Sequence, residues 1–199
     1  KNVTVEGAVA REDEDYYVVE LKEGEILTAE LEGVRIKKGR SNPFFDPYVA
    51  ILNSERFEMA TSDDAPLLQQ DCLCSMRAPA DGKYIIVVRD SSFGGNNDRY
   101  RLHVGSFPRP IAVVPAGGPP GALLDMTFVS ATGDAWIEKV QLPSQPQEAF
   151  PLVVSNDQGS SPSPNFIRVQ DMPNVVEQEP NNTFKQSTVG SLPGAFCGF

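Results

Sequence analysis

Between positions 3 and 104 the apolar residues come in short runs, each closed by a turn signal, a spacing that suits a β-sandwich or barrel. The pattern predicts strands over 3–9, 16–21, 26–31, 48–52, 57–60, 72–77, 83–89 and 100–104. Within "YRLHV", Tyr100, Leu102 and Val104 share one strand face while Arg101 and His103 share the other, so His103 is expected to point away from the core. Lys22-Glu23-Gly24-Glu25 and Ala80-Asp81-Gly82-Lys83 read as hairpin-like corners, each through a glycine able to take positive φ. Prolines after Asn42 and Asp46 make 37–47 a loop.

"GSFPRP" then marks a joint, and a second block follows with strands expected over 111–114, 123–129, 135–140, 150–155 and 166–169. Beyond 169 the chain turns polar and proline-interrupted, then apolar again in "FKQSTVGSLPGAFCGF" with no partner strand evident in sequence. The 16 Gly and 17 Pro are spread along all of this, which favours short strands and turns over long helices.

A net charge of -10 without a Lys/Arg stripe argues against a nucleic-acid partner. No apolar run is long enough for a membrane helix, and the first residue, Lys1, reads as a processed or truncated start. Cys72, Cys74 and Cys197 cannot all pair, and the first two share one predicted strand. Buried small side chains are therefore expected rather than a disulfide framework or a zinc site.

The segments "EQEPNN" (177–182), "DEDYYVVELKEGE" after Gly7, "DPYVAILN", "SDDA", "ADGKYIIVVRD" and "YRLHVG" together resemble the bacterial pre-peptidase C-terminal domain family. In that family E-x-E-P-N-N opens a jelly roll and D-x-D-[YF] starts a later strand. The resemblance implies an all-β chain: a jelly-roll β-sandwich over 1–107, a small immunoglobulin-like sandwich over 108–172, and the linker and opening strand of a further repeat over 173–199. The middle block resembles the IPT/TIG module through "VVPAGGPPG" and "FPLVVSNDQGSSPSPNFIRV".

In collagenases of the family the linker and D-x-D groups bind calcium, so the resemblance implies calcium at Asp13, Asp15, Glu177, Glu179 and Asn181. The alternation of Glu177, Glu179 and Asn181 would put three hard oxygens on one side of an extended chain. Each set alone holds too few oxygens for a shell of six to eight, and the same residues also read as solvated turn groups. Asp63, Asp64 and Asp46 read as turn and loop residues. His103 is the only histidine and lacks a sequence motif for catalysis; Trp136 reads as a core or interface aromatic rather than a sugar platform. "GGNND" reads as a flexible hairpin tip.

The resulting expectation is a non-catalytic accessory module of a large exported bacterial protein, secreted, periplasmic or on the cell surface, whose partners are its neighbouring domains. An adhesion module for an extracellular polysaccharide or protein is the first alternative. A hydrolase fragment, requiring converging carboxylates or His103 beside a nucleophile, is the second. The final segment, 191–199, is expected to complete a neighbour's sheet by strand exchange.

Overall fold

The computed structural model describes residues 2–37, 45–66, 68 and 70–198. It forms two compact units, Lys1–Arg109 with Ser155–Pro162, and Pro110–Val154 with Ser163–Phe199. The expected loop over 37–47 lies mostly outside the described residues; just before it, Arg35–Lys37 make one 3₁₀ turn.

Among the described residues the first unit has eight main strands: β1 (Val3–Val9), β2 (Glu14–Leu21), β3 (Ile26–Glu32), β4 (Pro47–Leu52), β5 (Glu58–Ser62), β6 (Cys72–Arg77), β7 (Gly82–Asp90) and β8 (Asp98–Gly105). They form two antiparallel sheets, β1-β8-β3-β6 and β2-β7-β4-β5. Only the β4–β5 connection stays within a sheet; every other link crosses between them. That strand order is the jelly-roll topology.

This crossing corrects the reading of the turns. The corner at Gly24 does take φ +83°, but it passes from one sheet to the other, as does the 80–83 corner, where Gly82 keeps ordinary φ and opens β7. "GGNND" is likewise a crossover loop between β7 and β8.

Period-two alternation decides what each face of the two sheets carries. Inward from the first sheet come Leu27, Ala29, Leu31, Cys72, Cys74, Met76, Leu102 and Val104. From the second come Val49, Ile51, Tyr84, Ile86 and Val88. Burial in this apolar layer raises the thiols of Cys72 and Cys74, the latter to about 12, so both behave as inert small side chains.

The second unit holds β9 (Pro110–Val114), β10 (Gly117–Gly118), β11 (Leu123–Ser130), β12 (Ala135–Gln141) and β13 (Gln147–Leu152). The short hairpin β14 (Ser155–Asn156) and β15 (Gly159–Ser160) belongs to the first unit, where Asn2 Nδ2 donates to the Gln158 carbonyl at 2.9 Å. Back in the second unit are β16 (Asn165–Val169), β17 (Asn174–Val176) and β18 (Ala195–Cys197). Sheets β12-β11-β9 and β10-β16-β13 contribute Val113, Met126, Phe128, Val140, Ile167 and Val169 to one core. Trp136 packs against it, its ring stacked on Phe128 with centroids 5.5 Å apart.

The last strand has a partner within its own unit. β18 pairs in parallel with β17, which lies in a stretch too polar and interrupted by proline to announce a strand. Two strands make little core, and Phe184, Val189 and Leu192 remain 85–95 % exposed.

Candidate functional site

The outer face of the first jelly-roll sheet is ionic. Register sets Thr4, His103 and Glu30 in one row and Glu6, Arg101 and Glu32 in the next. Arg35, from the 3₁₀ turn after β3, folds back over this face. Its Nη2 donates to Glu30 Oε1 at 2.9 Å and its Nε to Asp71 Oδ2 at 2.5 Å. Arg109 Nε lies 2.8 Å from Glu30 Oε2. Glu30, Asp71 and Arg109 are all buried. Asp71 also accepts the backbone N–H groups of Gly33 (2.7 Å), Val34 (2.6 Å) and Arg35 (3.2 Å), a small anion nest that fixes the turn and aims Arg35.

His103 does lie on the face opposite the core, yet it is buried rather than exposed, because this polar cluster covers it. Its Nδ1 meets Thr4 Oγ1 at 2.9 Å and its Nε2 meets Glu32 Oε2 at 3.2 Å. Burial acts to raise the Glu32 carboxyl, but the bond to His103 and the charges of Arg35 and Arg101 outweigh it and hold the group below the usual range. A hydroxyl, an imidazole and a carboxylate in line have the makings of a relay. Acyl transfer also needs donors aimed at the developing oxyanion. The cationic groups near this trio are already engaged, Arg101 with Glu6 at 3.0 Å and Arg35 with Glu30 and Asp71.

A depressed Glu32 contributes stability that is complete above its unfolded value, about 4.3, and lost as pH falls through the lower folded value. The urea midpoint of the wild type should thus exceed that of Glu32→Gln at pH 7, with the gap closing below about pH 4. A gap that persists unchanged at pH 3 would contradict this assignment.

The expected calcium residues occupy two places, one in each unit. Asp13 Oδ2 accepts the Ala10 N–H at 3.2 Å across a turn. Asp15 points into the sandwich, where Tyr100 donates its hydroxyl to Oδ2 at 2.5 Å and the Tyr17 and Tyr100 hydroxyls lie 2.5 Å apart. Burial, then the bonds to Asp15 and Tyr17, raise the Tyr100 hydroxyl and keep it a donor. Gly7 faces this ring across the β1–β8 ladder. In the second unit Asn181 Nδ2 donates to Glu177 Oε2 at 3.0 Å and Asn181 N to Glu179 Oε2 at 2.8 Å. The three follow the end of β17 at Val176, and Asn181 donates to both glutamates, from its side chain to Glu177 and from its backbone to Glu179. Among the described residues no three His, Cys, Asp or Glu side chains gather to hold a metal.

Two carboxylates that pattern reasoning passed over organise loops. Asp71 is one. Asp90 is the other: it accepts Ser92 N (3.0 Å), Gly94 N (2.8 Å) and, at its second oxygen, Asp46 N (3.1 Å). Asp46 was read as the loop-ordering carboxylate, but it supplies backbone and Asp90 the acceptor. The "RDSS" at the end of β7 carried that signal, since Asp before Ser is a common turn former.

The outer face of the second sheet is different. Rows of Tyr16, Val87 and Ala50, and of Val18, Ile85 and Leu52, make an aliphatic and aromatic surface. Arg89 stacks on the Tyr48 and Phe93 rings at 3.8 and 4.4 Å, and Tyr48 donates to Glu58 Oε1 at 2.9 Å.

A jelly-roll unit and a smaller β-sandwich therefore define an all-β protein. No family model matches the chain, and no curated protein sequence matches it. Among solved structures it is similar to a periplasmic inhibitor of g-type lysozyme from Aeromonas hydrophila, with 18 % identity and TM-score 0.39 over 52 % of this chain and 83 % of that one. It is similar also to a mitogen from Yersinia pseudotuberculosis, with 13 % identity and TM-score 0.39 over 52 % and 84 %. A third is the pre-peptidase C-terminal domain of a Bacillus anthracis collagenase, with 13 % identity and TM-score 0.34 over 52 % and 86 %.

Proposed function

We propose that the chain is a non-catalytic accessory segment of an exported protein, its sandwiches spacing or stabilising the domains beside them. The observation that carries this reading is the use to which its reactive groups are put. Asp15, Asp71, Asp90, Glu32 and His103 each hold a strand, turn or loop in place. The hydrolase alternative is tested with ester, glycoside and peptide substrates. Wild type and His103→Gln are expected to match the buffer rate, with the variant lower only in melting temperature. A wild-type turnover abolished in His103→Gln would reinstate catalysis.

The immunoglobulin-like assignment of the second unit and the opening of a further repeat over 173–199 belong to the same proposal. The exposed Phe184, Val189 and Leu192 support the latter, since such side chains suit a larger sheet. Calcium is proposed only where Asp13 and Asp15 of one chain or repeat meet Glu177, Glu179 and Asn181 of another, because neither set suffices alone. Melting in calcium rather than chelator should then rise with protein concentration, and the rise should vanish in Asp13→Asn/Asp15→Asn. Curves indifferent to calcium at every concentration would remove the ion.

A further inference from the structure

The chain holds one Asp-Pro bond, Asp46–Pro47, where β4 begins. An aspartate can cleave such a bond by attacking its own carbonyl carbon, because the attack closes a five-membered ring and proline departs as a secondary amine. Phe45 and Pro47 are both buried, so the peptide between them is held in place. Proline carries no N–H, and the nitrogen that must leave is therefore tied into no ladder.

The carbonyl of this bond faces a strengthened donor. Ser91 N–H donates to the Asp46 carbonyl oxygen at 2.7 Å, and the same peptide unit offers its other end, the Asp90 carbonyl, to Arg89 Nη1 at 2.9 Å. A cation at one end of a peptide group polarises the N–H at the other, so the donor sits where negative charge would develop during attack. The Tyr48 and Phe93 rings on which Arg89 stacks keep the guanidinium there. Asp90 Oδ2 accepts the Asp46 N–H at 3.1 Å and fixes the residue from its other side.

The carboxyl of Asp46 is not spent on holding the fold. It accepts no hydrogen bond among the described residues, and it sits half-buried near three other carboxylates, Asp63 and Asp64 after β5 and Asp90 at the end of β7. The nearby Cys72 is a neutral thiol. Burial, then the charges of Asp64, Asp90 and Asp63, push the Asp46 carboxyl above its ordinary value. Burial acts the same way on Asp90, but the N–H groups of Asp46, Gly94 and Ser92 and the Ser92 hydroxyl outweigh it and hold that group down. Two carboxyls pushed apart in this way leave Asp46 as the one that carries a proton.

We propose that the chain cuts itself between Asp46 and Pro47. The Asp46 carboxyl gives its proton to the Pro47 nitrogen as its oxygen bonds to the Asp46 carbonyl carbon; the C–N bond breaks, leaving a cyclic anhydride on Asp46 and a free Pro47 amine. Water then opens the anhydride to two carboxyls, one of them a new C-terminus. This is a single self-modification rather than turnover, and it goes beyond the accessory role proposed above. Because β1, β2 and β3 precede the cut and are laddered to β8, β7 and β6 after it, the two pieces stay together until they are unfolded.

The test is to hold the full chain at about 37 °C between about pH 4 and about pH 8, then denature it and record intact masses. Expected are fragments 1–46 and 47–199, with masses that sum to the chain plus one water, formed at least tenfold faster by the folded chain than in urea at the same pH. Asp46→Glu keeps the carboxyl but must close a six-membered ring, and should be cut at least tenfold more slowly. Asp63→Asn/Asp64→Asn, at exposed positions, removes two like charges and should move the pH profile of cutting to lower pH. An uncut wild type overturns the proposal. A rate as high in urea also overturns it, since that is the acid lability of any Asp-Pro bond, and so does a profile indifferent to Asp63 and Asp64. Cutting unchanged in Asp46→Glu would assign the fragments to a contaminating protease.

Discussion

Glu30→Ala should destabilise the first unit by about 3–5 kcal/mol, measured as a lowered urea midpoint at pH 7. Glu30 is fully buried on the outer face of β3 and holds Arg35 at one oxygen and Arg109 at the other. Without it Arg35 keeps Asp71 and a 3.7 Å approach to Glu32, whereas the buried Arg109 guanidinium loses the carboxylate beside it. Both arginines remain charged at neutral pH, so the loss cannot be relieved by deprotonation. Burial depresses Arg109 and the like charge of Arg35 adds to this, while the Glu30 carboxylate opposes both. Since the cost comes from removing the carboxylate that faces a buried cation, Glu30→Leu/Arg109→Leu should recover at least half of it. A Glu30→Ala variant within about 1 kcal/mol of wild type would show that water or other groups satisfy Arg109 without difficulty.

Gly7→Ala should cost about 2–4 kcal/mol, from overpacking and lost hydrogen bonds together. A Cβ at Gly7 would overlap the Tyr100 ring carbon that bears the hydroxyl, and would come within 2.8 Å of Cε1. Tyr100 is buried, so its ring must shift, taking its hydroxyl from Asp15 and Tyr17. Part of that cost is shared with Tyr100→Phe, which removes the same hydroxyl. The two substitutions combined should therefore destabilise less than the sum of their separate effects. Strict additivity would mean that the glycine matters for some reason other than the tyrosine.

Strand positions in the first unit follow the sequence closely because both jelly-roll sheets cover one core, and each strand declares its inner face by alternation. β1 and β6 begin and end at the expected residues, and β2 to β4 extend by two residues or fewer. Pairing was less visible. Corners such as 22–25 look alike whether they join neighbours in one sheet or cross to the other, and only the ladder between residues distant in sequence separates the cases. The site residues show the same limit. Asp15 is evident as a carboxylate at a strand start, but its acceptor role depends on Tyr100, eighty-five positions away. His103 was placed on the correct face by period two, yet its burial depends on Arg35 and Asp71, whose turn no local pattern declares. β17 could not be read at all, since it pairs only with β18 and its sequence is neither apolar nor alternating over any length.

The ladder that ties β1 to β8 joins Val3 to Val104 and Val9 to Asp98. The first strand of the jelly roll must therefore wait, without its hydrogen-bonding partner, until the last has been made. Contacts this distant in sequence slow folding, because a large loop is closed before any contact rewards it. The second strand waits likewise, since its partner β7 begins only at Gly82. The first unit should therefore fold more slowly than a domain of similar size built from local contacts.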